Sequence, residues 1–173
     1  VKIELDTLRL RLRELGPEDA AFIVELLNDR DFLQNIGDRG VRDADDAQRY
    51  LRDGPMASYR RHGHGLLAVE LKETGETLGM AGVLRRDSLP DPDIGYAFLP
   101  RHRSRGYAVE ACKAVLEHAL VTLQLPRVLA ITLPANQGSV NVLQRLGLRF
   151  ERELPSTDNG VPETLHVYTT APV

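Results

Sequence analysis

Leucines and arginines alternate from Leu8 to Arg13, apolar at 8, 10 and 12 and charged at 9, 11 and 13. That is the period-two pattern of a half-buried strand. Gly16-Pro17 ends it, and Pro17 suits the first position of a helix, where its missing N–H is no loss. Phe22, Ile23, Leu26 and Leu27 then recur at helical spacing, with Glu18 and Asp19 near the positive end of the helix dipole. Asp43 is placed to cap a second helix carrying Ala47, Tyr50 and Leu51, which Gly54-Pro55 breaks or kinks. From Gly65 the period returns to two. Leu67, Val69 and Leu71 form one strand, Glu73–Glu76 a turn, Thr77–Arg85 a returning strand, and Asp93–Leu99 a third. Tyr107–Leu123 reads as a long helix with one broad apolar face, and Val128–Leu133 as a strand buried on both sides. Asn136–Leu146 is a short helix stopped by Gly147, and Phe150–Leu154 and Thr164–Thr169 flank the turn Asp158-Asn159-Gly160. The order is β-α-α-β-β-β-α-β-α-β-β, with no linker or repeat, which predicts one α/β domain over residues 1–173.

Composition narrows the function. A chain of 173 residues with 42% hydrophobic and 27% charged residues is long enough for a real core. A net charge of −3 and the absence of tryptophan offer neither an electrostatic footprint nor a stacking platform for nucleic acid. No apolar run approaches the roughly 20 residues of a membrane span, so neither nucleic acid nor membrane is an expected partner. Cys112 is the single cysteine and falls on the apolar face of the long helix, as an inert core thiol. The N-terminal stretch lacks the apolar region of a signal peptide, and a cytoplasmic location is expected. His62 and His64 have no cysteine or carboxylate cluster beside them in sequence, so a solvated loop rather than a metal site is expected there.

The chemistry-bearing segment is Asp93-Ile94-Gly95-Tyr96-Ala97-Phe98-Leu99-Pro100, followed by Arg101-His102-Arg103-Ser104-Arg105-Gly106-Tyr107-Ala108 and the long helix. A strand feeding a basic, glycine-containing turn that opens a helix forms an anion site, because the first helical N–H groups lack partners and the dipole adds positive charge. Arg103-Ser104-Arg105-Gly106-Tyr107-Ala108 resembles the Arg/Gln-x-x-Gly-x-Gly/Ala signature of the GNAT family of N-acetyltransferases, with Ser104 where many relatives carry glycine. Asn136-Gln137-Gly138-Ser139 and the following Leu146-Gly147-Leu148 resemble that family's Asn-x-x-Ser segment and Leu-Gly-Phe helix end. The likeness runs from the first strand to Thr169 and is greatest to the branch that includes ribosomal-protein-alanine N-acetyltransferases.

The resemblance implies an α/β (α+β) fold, a mixed, mainly antiparallel twisted sheet flanked by helices, with acetyl-CoA between the Asp93–Leu99 and Val128–Leu133 strands. It implies cofactor contacts at Phe98, Leu99, Arg103, Ser104, Arg105, Gly106, Tyr107, Ala108, Asn136 and Ser139, and no metal. The implied reaction is transfer of acetyl from acetyl-CoA to a primary amine, a protein N-terminus or a small molecule, by direct attack in a ternary complex. An amide near Phe98 or Leu99 is the implied oxyanion donor. Ser139 and Tyr96 are the candidate acids for the departing thiolate. Asp93, Glu70 and Asp158 are the candidate bases, with bulk water as a fourth option, and Glu110 is read as structural. The alternatives are a non-catalytic acyl-CoA-binding sensor or interaction module, and a transferase for another acyl-CoA. The acceptor would enter between the first two helices and the Asp158–Pro162 loop, and the chain would act as a monomer or homodimer.

Overall fold

The structure is a computed structural model describing residues 2–170. Its strands are β1 (Glu4–Asp6), β2 (Leu10–Glu14), β3 (Leu66–Leu71), β4 (Thr77–Leu84), β5 (Asp93–Phe98), β6 (Leu129–Thr132), β7 (Arg149–Ser156) and β8 (Glu163–Thr169). Its α-helices are α1 (Ala20–Leu27), α2 (Arg30–Asn35), α3 (Ala44–Leu51), α4 (Ala57–His62), α5 (Tyr107–Glu117) and α6 (Gln137–Arg145). The strands form one sheet in the order β1-β2-β3-β4-β5-β6-β8-β7. Every neighbouring pair is antiparallel except β5 and β6. The expected mixed, mainly antiparallel α/β architecture is what forms.

Alternation along the central strands divides the core in two. Ala81, Val83, Ile94 and Phe98 face α5 and pack against Ala111, Cys112, Val115 and Leu116. Ala68, Met80 and Ala97 face the other way, toward Ile23, Leu26 and Leu51 of α1 and α3. Each fully buried leucine or isoleucine there contributes roughly 1.5–3 kcal/mol by leaving water. Because β4 and β5 pair as Val83↔Ile94 and Leu84↔Asp93, Asp93 shares the α1–α3 face while Tyr96 shares the α5 face. That division matters for the site.

Four local readings change. Strand β2 begins at Leu10, and Leu8 is 92% exposed in the turn after β1. Its place in the alternation is set by sequence, but the Thr7-to-Leu10 backbone bond turns the chain before the sheet face is reached. Strand β1 and helix α2 were not expected, since elements of three and six residues are too short to show a period. Gly54-Pro55 does not stop its helix. Residues Arg52–Met56 form a π-helical turn and α4 continues from it. A second π-helical turn, His118–Thr122, carries on from α5 within the single long helix the pattern predicted. His64 is buried, with Nδ1 3.0 Å from the Val83 carbonyl oxygen, and burial lowers its pKa. His62 is solvated as expected but closes helix α4 rather than lying in a loop, and His64 is not solvated. Among the described residues no helix is long and apolar enough to cross a membrane, and no group of three His, Cys, Asp or Glu side chains converges to hold a metal.

Candidate active site

The parallel strands β5 and β6 are in register at Asp93↔Leu129 alone, whereas β6 stays paired with β8 as far as Thr132↔His166. Beyond Asp93 the two strands part. Backbone direction then decides which amides face the opening. Leu99 N–H donates to the Leu78 carbonyl on β4 at 3.0 Å, so the alternate residues Phe98 and Tyr96 turn their N–H and C=O groups toward β6. Of the two amides named as oxyanion donors, Leu99's is therefore already used, and Phe98's faces the gap.

At the far end of β5 the chain passes through a short 3-10 turn, Pro100–His102, into Arg103–Gly106 and α5. Two residues of this loop have left-handed backbones, Ser104 at φ 61° and Gly106 at φ 81°. At Gly106 the positive φ is the reason for glycine, because a Cβ there would meet only the movable end of Arg9, at 3.3 Å. No backbone carbonyl among the described residues accepts from the N–H groups of Ser104, Arg105 or Gly106. Together with the free N–H groups of the first turn of α5, they make a concave set of donors at the positive end of an eleven-residue helix. Such a set fits a diphosphate. Tyr107 and Ala108 open that helix half-buried, while the side chains of Ser104 and Arg105 are exposed.

The loop is held from behind by Glu110 and by two residues that sequence reading missed, Thr7 and Arg9. Arg9 Nη1 donates to the Arg105 carbonyl at 3.0 Å, its Nε to Glu110 Oε1 at 2.7 Å, and its guanidinium lies 4.5 Å from the Tyr107 ring centroid. Glu110 Oε2 accepts from Thr7 Oγ1 at 2.6 Å and from the Arg9 N–H at 2.9 Å. Burial opposes the Glu110 charge, yet the bonds from Thr7 and Arg9 outweigh it and hold its pKa below the ordinary range. Glu110 is thus a brace, as expected. Arg9 was hidden because an arginine in an alternating strand looks like a solvent-facing residue.

Arg103 turns away from the anion cradle. Its Nε and Nη2 donate to the Phe98 carbonyl at 3.1 and 2.9 Å, Nη2 meets Asp29 at 2.9 Å, and Nη1 meets Asp31. It ties the loop to α2, whose N-cap is Asp29.

On the α5 face of the gap, Asn136 caps α6, its Oδ1 accepting from Ser139 N–H at 3.2 Å. Tyr96 Oη donates to Ser139 Oγ at 3.1 Å. The two candidate acids, separated by 43 residues in the chain, are brought into one hydrogen bond across the opening between β5 and α6. Burial pushes the Tyr96 phenol well above its usual pKa, with the Ser139 bond opposing weakly.

The base candidates separate. Asp93 is fully buried on the opposite face of β5, with both carboxylate oxygens on Arg86 Nε at 3.0 and 3.1 Å. Burial pushes its pKa up to about 6 against the pull of Arg86. Glu70 is bound to Arg13, which also holds Asp19, so it belongs to a structural network between β2 and β3. Asp158 is exposed in the β7–β8 turn. Its neighbour Asn159 donates to the Ile36 carbonyl at 3.1 Å and accepts from Arg39 at 3.3 Å. Gly37, at φ 122°, has a backbone that side chains rarely adopt, and a Cβ there would push the Asn159 amide, 2.3 Å away, out of this contact. This contact closes one side of the α1–α3 face.

Comparison with known proteins agrees with this geometry. Residues 9–149 match the family model of an acetyltransferase (GNAT) domain. The protein YkkB of Bacillus subtilis (strain 168) is 30% identical over 156 residues, covering 88% of this chain and 89% of its own length. An acetyltransferase from Agrobacterium tumefaciens str. C58 superposes with a TM-score of 0.81 at 28% identity, over 98% of this chain and 94% of that one. The microcin C7 self-immunity acetyltransferase MccE, solved with acetyl-CoA and AMP, shares the fold with a TM-score of 0.80 at 17% identity, over 95% and 93% of the two chains.

Proposed function

This chain belongs to the acetyltransferase (GNAT) family, and we propose that it moves the acetyl group of acetyl-CoA to a primary amine by direct attack in a ternary complex. One observation carries the reading. A β5–β6 pair that parts after a single register position leads to a loop whose N–H groups stand free at the start of α5. The gap suits the pantetheine arm, and the Ser104–Ala108 amides suit the diphosphate.

The side chains divide the chemistry between the two faces of β5. Phe98 N–H, directed into the gap, donates to the thioester oxygen as negative charge develops on it. On the α5 face, Ser139 Oγ–H gives its proton to the departing thiolate sulfur while Tyr96 Oη–H, 3.1 Å away, passes its own to Ser139 Oγ, and water reprotonates Tyr96 once the products leave. The raised phenol pKa returns Tyr96 to its protonated form before the next turnover throughout the neutral range. On the other face Asp93, with its pKa pushed up to about 6, is ionised at neutral pH and takes the proton an attacking amine sheds through intervening water, since it is buried on Arg86 and five strand residues, roughly 16 Å, separate it from Phe98. Asn136 Nδ2 is free of internal partners among the described residues and suits the pantetheine amide. The thiol leaves on one side and the amine enters on the other.

Calorimetric titration with acetyl-CoA tests the cofactor groove. Gly106→Pro serves as control, because proline cannot adopt φ 81°. Binding by wild type, lost in a variant that keeps its circular dichroism, is the expected result; absence of binding by folded wild type overturns the reading. Thiol release with an amine panel tests transfer. Binding without release would leave an acyl-CoA sensor instead. Ser139→Ala and Tyr96→Phe should each lower kcat roughly 10²-fold or more while leaving acetyl-CoA affinity intact.

A further inference from the structure

Two adjoining cavities open on the α1–α3 side of the sheet, away from the acetyl-CoA groove. One of about 370 Å³ lies between the Arg39–Val41 loop and α3. The other, of about 270 Å³, lies between the Arg52–Met56 π turn, α4 and the end of β4 at Leu84-Arg85. Tyr50 borders both. The π-helical turn is what lets Asp53 and Gly54 line the two cavities together, and such turns commonly mark functional positions in helices.

Charge within this basin does not balance. Asp46 is held by Arg49 and by the Arg42 N–H, and Asp53 by Arg52 at 2.9 Å. Among the described residues Arg39 and Arg85 have no carboxylate partner; Arg39 reaches only the Asn159 side-chain oxygen, at 3.3 Å. The Tyr50 phenol is desolvated, which raises its pKa, while Arg39 and Arg86 stand close enough to favour its ionised form. Its hydroxyl has no hydrogen-bond partner among the described residues. A phenol donor beside the unpaired Arg39 guanidinium, with Arg85 lining the adjoining cavity, is a site for an anion. Arg86 joins this basin to the reaction, because the same guanidinium holds Asp93 at 3.0 Å.

Resting on the acetyl-transfer reading, we infer that these cavities receive the acceptor, and that it is a small amine bearing a carboxylate or phosphate a few bonds from its nitrogen. Arg39 and Tyr50 Oη hold the anionic group, Arg85 attracts it from the adjoining cavity, and the amine is directed toward Asp93. Free guanidiniums recognise both kinds of oxyanion, so the shared chemistry is an oxyanion and the test separates its sources.

The experiment measures thiol release from acetyl-CoA with two matched pairs, L-alanine against L-alaninamide and O-phosphoethanolamine against ethanolamine. Each kcat/KM is corrected for the fraction of neutral amine. The anionic member of at least one pair is expected to be favoured about tenfold or more, with the advantage shrinking as salt rises. The pair with the larger ratio identifies carboxylate or phosphate. In Arg39→Gln/Arg85→Gln the advantage should vanish through KM for the amine, while KM for acetyl-CoA stays unchanged. Equal or inverted ratios, or a preference that survives in the double variant, overturn the inference and leave acetyl transfer standing. Failure to acetylate any of the four also overturns it, and acetyl-CoA titration of the same sample then shows whether the cofactor groove stands without it.

Discussion

Ser104 and Gly106 flank Arg105 and both have left-handed backbones, but only glycine does so freely. For an L-residue that conformation costs roughly 1–2 kcal/mol, partly offset because glycine loses more chain entropy on folding. Ser104→Gly should therefore stabilise the chain by about 0.5–1 kcal/mol in urea unfolding, with acetyl-CoA affinity unchanged. Asp93 makes a pH prediction. Its pKa is pushed up to about 6 from an ordinary 3.8, so the folded chain binds more protons than the unfolded one between those values. Stability should fall as pH rises through that window. Activity should show the opposite slope, since a protonated carboxyl cannot accept a proton. With acceptor saturating, kcat should drop about tenfold per unit below pH 6, and Asp93→Asn should both lower kcat and remove that limb. A limb that persists unchanged in the variant would assign the base elsewhere.

Element by element, the anion loop is stiff because three segments grip it. The turn between β1 and β2 supplies Thr7 and Arg9, α5 supplies Glu110, and α2 supplies Asp29 and Asp31 for Arg103. Glu110→Ala leaves the Arg9 N–H and Thr7 hydroxyl without their acceptor and frees the Arg9 side chain from one partner. A loss of about 2–3 kcal/mol is expected, lowering Tm by roughly 5–10 °C for a chain of this size. Acetyl-CoA should bind more weakly as well, because Arg9 no longer fixes the Arg105 carbonyl. A destabilised variant with full acetyl-CoA affinity would confine the brace to folding. None of this was legible in the strand pattern. Alternation says which side of a strand a residue faces, and is silent on which helix end lies within reach of it.

For the molecule as a whole, the sheet holds the gap open through unequal pairing, β6 being bound along β8 while touching β5 at one register position. A ligand seated there adds contacts that the unfolded chain lacks. Acetyl-CoA at 100 times its Kd should raise stability by about 2.7 kcal/mol, a Tm increase of roughly 5–10 °C by scanning calorimetry. Raising the salt should reduce the increase, because part of the attraction is between phosphates and an exposed loop carrying Arg105. Free phosphate at the same concentration should give a far smaller shift, since it fills only one end of the groove.

Local rules sufficed for much of this protein. Period-two and helical spacing located seven of the strands and the long helix, because burial on one face imposes its repeat on the chain directly. The loop from Arg103 to Ala108 was legible as an anion site because free N–H groups at a helix start follow from backbone geometry, whatever surrounds them. Asn136 was legible as a cap for the same reason. Burial and long-range contact are not local, and there the fold alone decided. It paired Tyr96 with Ser139 across 43 positions and turned Phe98 rather than Leu99 into the gap. It raised Asp93 and spent Glu70 on Arg13, although both are carboxylates on neighbouring parts of one sheet. It also set unpaired arginines around Tyr50, a residue whose helical spacing marked it only as core. A side chain's type and spacing set what it can do; its dielectric surroundings and its partners, which come from distant segments, set what it does.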